Sequence, residues 1–139
     1  MTRKWWWPLR IAYGIFFLHT ALAKRELDER GAKATHRLAA TAYPAVRRMS
    51  PQTLVKSMSI AEGAIATSLL VPVVPAAAGG VGLTAYGAAL VGTYLRVPGM
   101  RREGSIRPTE IGLGIAKDVW MLAAGTAVLV DVVSTRRRR

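Results

Sequence analysis

The sequence contains no cysteine, which excludes disulfides, thiolate metal sites, cysteine-ligated iron–sulfur clusters and thiol redox chemistry by the chain's own residues. Acidic residues are scarce as well, with 8 Asp and Glu against 20 Lys and Arg, giving a formal net charge of +12. Histidine occurs only twice, as His19 and His36, so neither a haem-type pair nor a zinc-ligand spacing can be built from neighbouring positions. No serine or threonine stands in a nucleophile motif, and no glycine-rich phosphate loop is present. These absences point away from catalysis by this chain alone and leave no metal site to name.

What is abundant is apolar surface, at 51% of the side chains. The charges are pushed into blocks. Residues Ile60 to Leu95 contain one charged side chain, Glu62, whereas Lys24 to Lys56 hold eight of the twenty basic residues. A bilayer core of about 30 Å needs roughly 20 mostly apolar helical residues, and the chain has room for four such segments. The expected fold is therefore all-α, a single domain over 1–139 forming a four-transmembrane-helix bundle. Its helices are expected at about 5–23, 57–75, 81–95 and 111–133, with a basic C-terminal tail at 134–139.

The first segment begins with Trp5, Trp6 and Trp7, read as interfacial anchors, followed by Pro8 in the first turn and Arg10, which can snorkel to the same interface. A signal peptide competes for this stretch, since Thr2-Arg3-Lys4, the apolar Ile11 to Leu18 and Ala21-Leu22-Ala23 follow that pattern. Three adjacent tryptophans weigh against it. Between helices one and two, Leu38, Ala42, Val46 and Met49 form an apolar stripe backed by Arg37, Arg47 and Arg48, which fits either a surface-lying amphipathic segment bent at Pro44 or a solvated loop. Pro72, Pro75, Gly79 and Gly80 mark a tight turn between helices two and three.

Four alternating passes bring His19, Glu62, Tyr94, Arg96, Lys117 and Asp118 near one membrane side, as an intramembrane polar cluster. An ionised carboxylate in a bilayer is costly unless paired, so Glu62 should face the interior with Lys117 or Arg96 as its partner. Asp118 could accept from Tyr94 or Arg96, and the bland alternative makes Glu62 and Lys117 structural glue. Tyr13, Tyr86 and Tyr94 could hydrogen-bond a quinone or a lipid headgroup, or simply pack. The basic excess flanks apolar spans, which assigns it to anionic lipid headgroups rather than nucleic acid. The basic-residue tally leaves membrane orientation open.

The segments LRIAYGIFFLHTALAK and IAEGAIATSLLVPVVPAAAGGVGLTAYGAAL, an Arg-led first helix ending in Lys24 and a second helix with the early acid Glu62, resemble the DoxX-like family of bacterial four-helix membrane proteins. The resemblance covers about residues 9 to 130. It implies a multi-pass protein of the bacterial plasma membrane and an accessory or structural subunit of a membrane assembly. It further implies a quinone-linked oxidoreductase as partner and quinone as the associated cofactor. Homo-oligomerisation is compatible with all of this. The alternative is a small transporter using Glu62 as an ion- or proton-coupled site.

Overall fold

A computed structural model describes residues 6–137, and they are helical, joined by short turns and one longer loop. Helix α1 spans Trp7–Arg25, α2 Glu29–Ala42, α3 Pro51–Leu70 and α4 Ala76–Arg96, followed by the single turn α5, Leu113–Ala116, and by α6, Val119–Arg137. Among the described residues the only strand-like feature is one antiparallel bridge between Arg101 and Pro108. Trp5, the first expected anchor, lies outside the described residues.

Local chemistry sets the boundaries, and several differ from those expected. Helix α3 starts at Pro51 rather than residue 57, because the Ser50 side chain accepts from the Thr53 N–H and proline occupies the first helical position. Helix α4 starts at Ala76 rather than 81. Gly79 and Gly80 thus belong to the helix, where they lie against Leu69 and Val128, and the turn contracts to residues 71–75. Helix α6 begins eight residues later than 111, since the chain breaks at Lys117 and Asp118 after α5.

The connection between α1 and α3 is ordered. Asp28 caps α2 by accepting from the Gly31 N–H. At the other end Pro44 opens a 3₁₀ turn, Pro44–Arg48, whose carbonyl of Val46 lies 3.1 Å from His36 Nε2, with that of Met49 at 2.9 Å. Helix α2 buries Ala32, Ala40 and Ala42 and packs on α3 and α4. The amphipathic reading of this segment is the one the structure adopts.

Helix α1 packs along α3, α3 along α4, and α4 along α6. Phe17, Ala66, Leu69, Leu83 and Met121 form the shared core. Two glycines permit the closest approach between α4 and α6: a Cβ on Gly87 would lie 2.6 Å from the backbone nitrogen of Leu122, and one on Gly125 would lie 2.5 Å from that of Thr84. At the far end, Trp6 Nε1 donates to Asp131 Oδ2 at 3.2 Å, joining the start of α1 to the end of α6.

Two helical stretches are long and apolar enough to cross a membrane, Ala76–Arg96 and Leu113–Arg137. Their most apolar windows are only 28% and 17% buried inside the chain. The apolar surface they present is thus mostly outward, unlike that of a core helix in a water-soluble domain.

Candidate functional site

A buried polar arrangement joining three helices centres on Glu62. The carboxylate sits midway along α3 at 2% exposure. Lys24, at the end of α1, reaches it with Nζ 2.7 Å from Oε1, and the Tyr86 hydroxyl of α4 donates to the same oxygen. Three helices therefore converge on one carboxylate oxygen. The other oxygen, Oε2, is buried without a hydrogen-bond partner. Phe17 stands edge-on to the Tyr86 ring, with centroids 5.3 Å apart, and seals the cluster from the core side. Ser59 lies nearly one turn before Glu62 and donates to the Ala21 carbonyl at 2.7 Å, which fixes the register of α1 on α3.

Arg10 forms a second buried site near the other end of α1. Its Nε donates to Leu69 O at 2.8 Å, while Nη2 donates to the carbonyls of Ser68, Val71 and Val74 at 3.0, 2.9 and 3.2 Å. These carbonyls belong to the C-terminal end of α3 and the turn after it, where helical carbonyls lack intrahelical partners and the helix dipole is negative. The Trp7 ring covers the guanidinium at 5.3 Å. Arg10 is 3% exposed, so it caps α3 rather than snorkelling outward. Trp6, expected as an interfacial anchor, is likewise buried, and it serves as the bond to Asp131.

The residues expected to form one polar cluster occupy separate places. His19 is exposed on α1. The Tyr94 hydroxyl donates to Ile106 O at 2.6 Å and pins the loop between α4 and α5. The Arg96 guanidinium lies 5.1 Å over the Tyr43 ring, whose hydroxyl donates to Ala89 O. Lys117 and Asp118 stand where α5 meets α6, in a cleft against Tyr13 and Phe16 of α1. Glu62 thus pairs with Lys24, not with Lys117 or Arg96, because Lys24 extends from the neighbouring helix α1 while Lys117 emerges on the exposed side of the α5–α6 junction.

Sequence reasoning did not foresee the role of Arg10 or the pairing of Lys24. Their signal was present: each is a basic residue within or bordering an apolar run, the kind of position that seeks an internal acceptor. Among the described residues no group of three or more His, Asp and Glu side chains gathers. Comparison with protein-family models, with curated proteins and with solved structures finds no match.

Proposed function

We propose that this chain is a four-pass protein of the bacterial plasma membrane, DoxX-like in kind, that acts as an accessory subunit of a membrane assembly rather than as a catalyst by itself. The observation that carries this reading is the internal commitment of its charges: Arg10 to the end of α3, and Lys24 to Glu62. Counting charges by composition penalises α1 and α3 as membrane spans, yet Arg10 and Glu62 are almost fully buried and Lys24 is 20% exposed. The outer faces of these helices carry Ile15 and Ile60 at 58% and 61% exposure, which suits lipid contact. Helices α1, α3, α4 and α6 have 19, 20, 21 and 19 residues. At 1.5 Å rise each is about 28 to 32 Å long, the thickness of a bilayer core.

The DoxX-like resemblance gains support from one coincidence. Lys24 and Glu62, the two positions carried over from it, are the two that form the buried ion pair. With its interior charges so engaged, the chain offers surfaces rather than reactive groups. Its basic end, with Arg47, Arg48, Arg101 and Arg102 exposed, suits anionic lipid headgroups, and a quinone-linked oxidoreductase is the partner this reading names.

A second reading is favoured by one atom. Glu62 Oε2 is buried and unpartnered, which is what a proton- or cation-coupled transporter would keep for its cargo. Purification of the tagged chain from its native membrane in mild detergent separates the two. A stoichiometric membrane partner supports the subunit reading. Recovery of the chain alone, with Glu62-dependent ion flux in proteoliposomes, overturns it in favour of transport.

A further inference from the structure

The loop from α4 to α5 joins the two stretches long and apolar enough to cross a membrane, Ala76–Arg96 and Leu113–Arg137, so a bilayer crossed by both puts this loop at one surface. It is a closed hairpin rather than a slack connection. The Arg102 N–H donates to Arg107 O at 2.9 Å and the Thr109 N–H to Met100 O at 3.0 Å, while Gly99 and Gly104 supply the positive φ of its turns. Met100, at its base, is buried. Two bonds tie the hairpin to the last turn of α4: the Tyr94 hydroxyl donates to Ile106 O, and Arg101 Nη2 donates to Leu95 O at 2.8 Å. They hold it at the level where that span ends instead of letting it project into water. A concavity of about 370 Å³ lies between residues 97–99 and 101–106, with Arg101, Arg102 and Glu103 on its wall. Ile106 is 79% exposed, and Leu95 in the adjoining turn of α4 is exposed as well. The Arg102 side chain makes no hydrogen bond or ion pair among the described residues, and Arg101 commits only Nη2, which leaves the rest of its fork for a ligand.

We infer that this hairpin is a binding site for the phosphate of an anionic phospholipid. Arg101 and Arg102 hold the phosphate in the concavity, and Ile106 with Leu95 meets the upper part of the acyl chains. The charge balance selects an anion, since residues 100–109 carry three arginines, Arg101, Arg102 and Arg107, against one acid, Glu103. A zwitterionic headgroup brings no net charge to that balance and gains less from it. The α4 carbonyl already orients Arg101, so ordering its side chain adds little cost on binding. The same phosphate chemistry would suit a soluble phosphate, but Ile106 and Leu95 offer apolar contact that only a lipid can use. The inference names a site for the lipid contact proposed above for the basic end. It rests on the membrane reading only through Ala76–Arg96 and Leu113–Arg137.

Native mass spectrometry of the detergent-purified full chain, titrated with phosphatidylglycerol, phosphatidylcholine or glycerol 3-phosphate, tests this. Wild type should retain phosphatidylglycerol in preference to phosphatidylcholine. Arg102→Gln should lower that retention about tenfold, the size of one lost charge-assisted contact. Glu103→Gln, which removes the one acid of the concavity, should raise it, and Ile106→Ser should weaken it with both arginines in place. Arg47→Gln, which removes an exposed basic residue outside the hairpin, should leave it unchanged. Circular dichroism of each variant verifies that the helices persist. Equal retention of both lipids, or an equal loss from Arg47→Gln and Arg102→Gln, overturns the inference while leaving the membrane reading intact. Glycerol 3-phosphate binding as tightly as phosphatidylglycerol, with indifference to Ile106→Ser, overturns it in favour of a soluble phosphate. Failure of the wild-type protein to partition into detergent or vesicles overturns both readings.

Discussion

Lys24 Nζ and Glu62 Oε1 lie 2.7 Å apart, joining the C-terminal end of α1 to the middle of α3 at a point where the carboxylate is almost wholly removed from solvent. Breaking such a pair leaves an uncompensated charge. Lys24→Met or Glu62→Leu alone should each destabilise the protein by about 3–5 kcal/mol, whereas the double replacement should lie close to wild type. Unfolding in detergent, followed by circular dichroism, provides the three values. A double variant as unstable as the sum of the singles would mean that the pair makes no coupled contribution.

Arg10 holds four carbonyl oxygens with one guanidinium, a geometry that a lysine ammonium cannot reproduce. Arg10→Lys should therefore lose most of the stabilisation, about 1.5–3 kcal/mol for a charged hydrogen-bonding group, and Arg10→Met more. The loss should be local to the end of α3. Hydrogen exchange should rise first at Val71 and Val74, whose amides bond within this turn.

Gly87 and Gly63 make opposing predictions from the same substitution. A Cβ on Gly87 meets the backbone of Leu122, which cannot move away without separating α4 from α6, while Gly63 has nothing within 4 Å. Gly87→Ala should destabilise by about 1–3 kcal/mol through overpacking. Gly63→Ala should be neutral or should stabilise by up to about 1 kcal/mol, the helical penalty that glycine carries. Thermal unfolding of the two variants checks the contrast.

The absence of native cysteine makes topology directly measurable. Single cysteines replacing exposed Arg47 and Arg102 should react with an impermeant maleimide from the same membrane side, and one replacing exposed Val73 should react from the other. That pattern follows from four spans. Labelling of Arg47→Cys and Arg102→Cys from opposite sides would leave an odd number of crossings between them and overturn the four-pass reading.

Much of the fold was legible because it is written in local pattern. The four long apolar segments appear as α1, α3, α4 and α6, and the stripe around Leu38 to Met49 belongs to an ordered amphipathic connection. Boundaries were less legible where a cap or a packed glycine moved them: Ser50 lengthens α3 at its start, and Gly79 and Gly80 continue α4 where isolated dipeptide rules read a turn. The importance of Glu62 was also visible, since a lone acid in a 36-residue apolar stretch must be explained.

Its partner was not visible in the same way. Periodicity and composition set which residues are helical and which charges stand inside apolar runs, because those constraints act within one segment. Whether Glu62 meets Lys24, Lys117 or Arg96 depends on which helices are neighbours and how far each is slid along the other, quantities fixed by contacts such as Ser59 to Ala21 and Gly87 to Leu122. The amino-acid sequence by itself determined an all-helical chain with long apolar segments and a small set of charges within or bordering them that need internal partners. Only the tertiary structure decided that Arg10 serves the end of α3, that Lys24 and Tyr86 share one oxygen of Glu62, and that Asp118 is left facing a cleft.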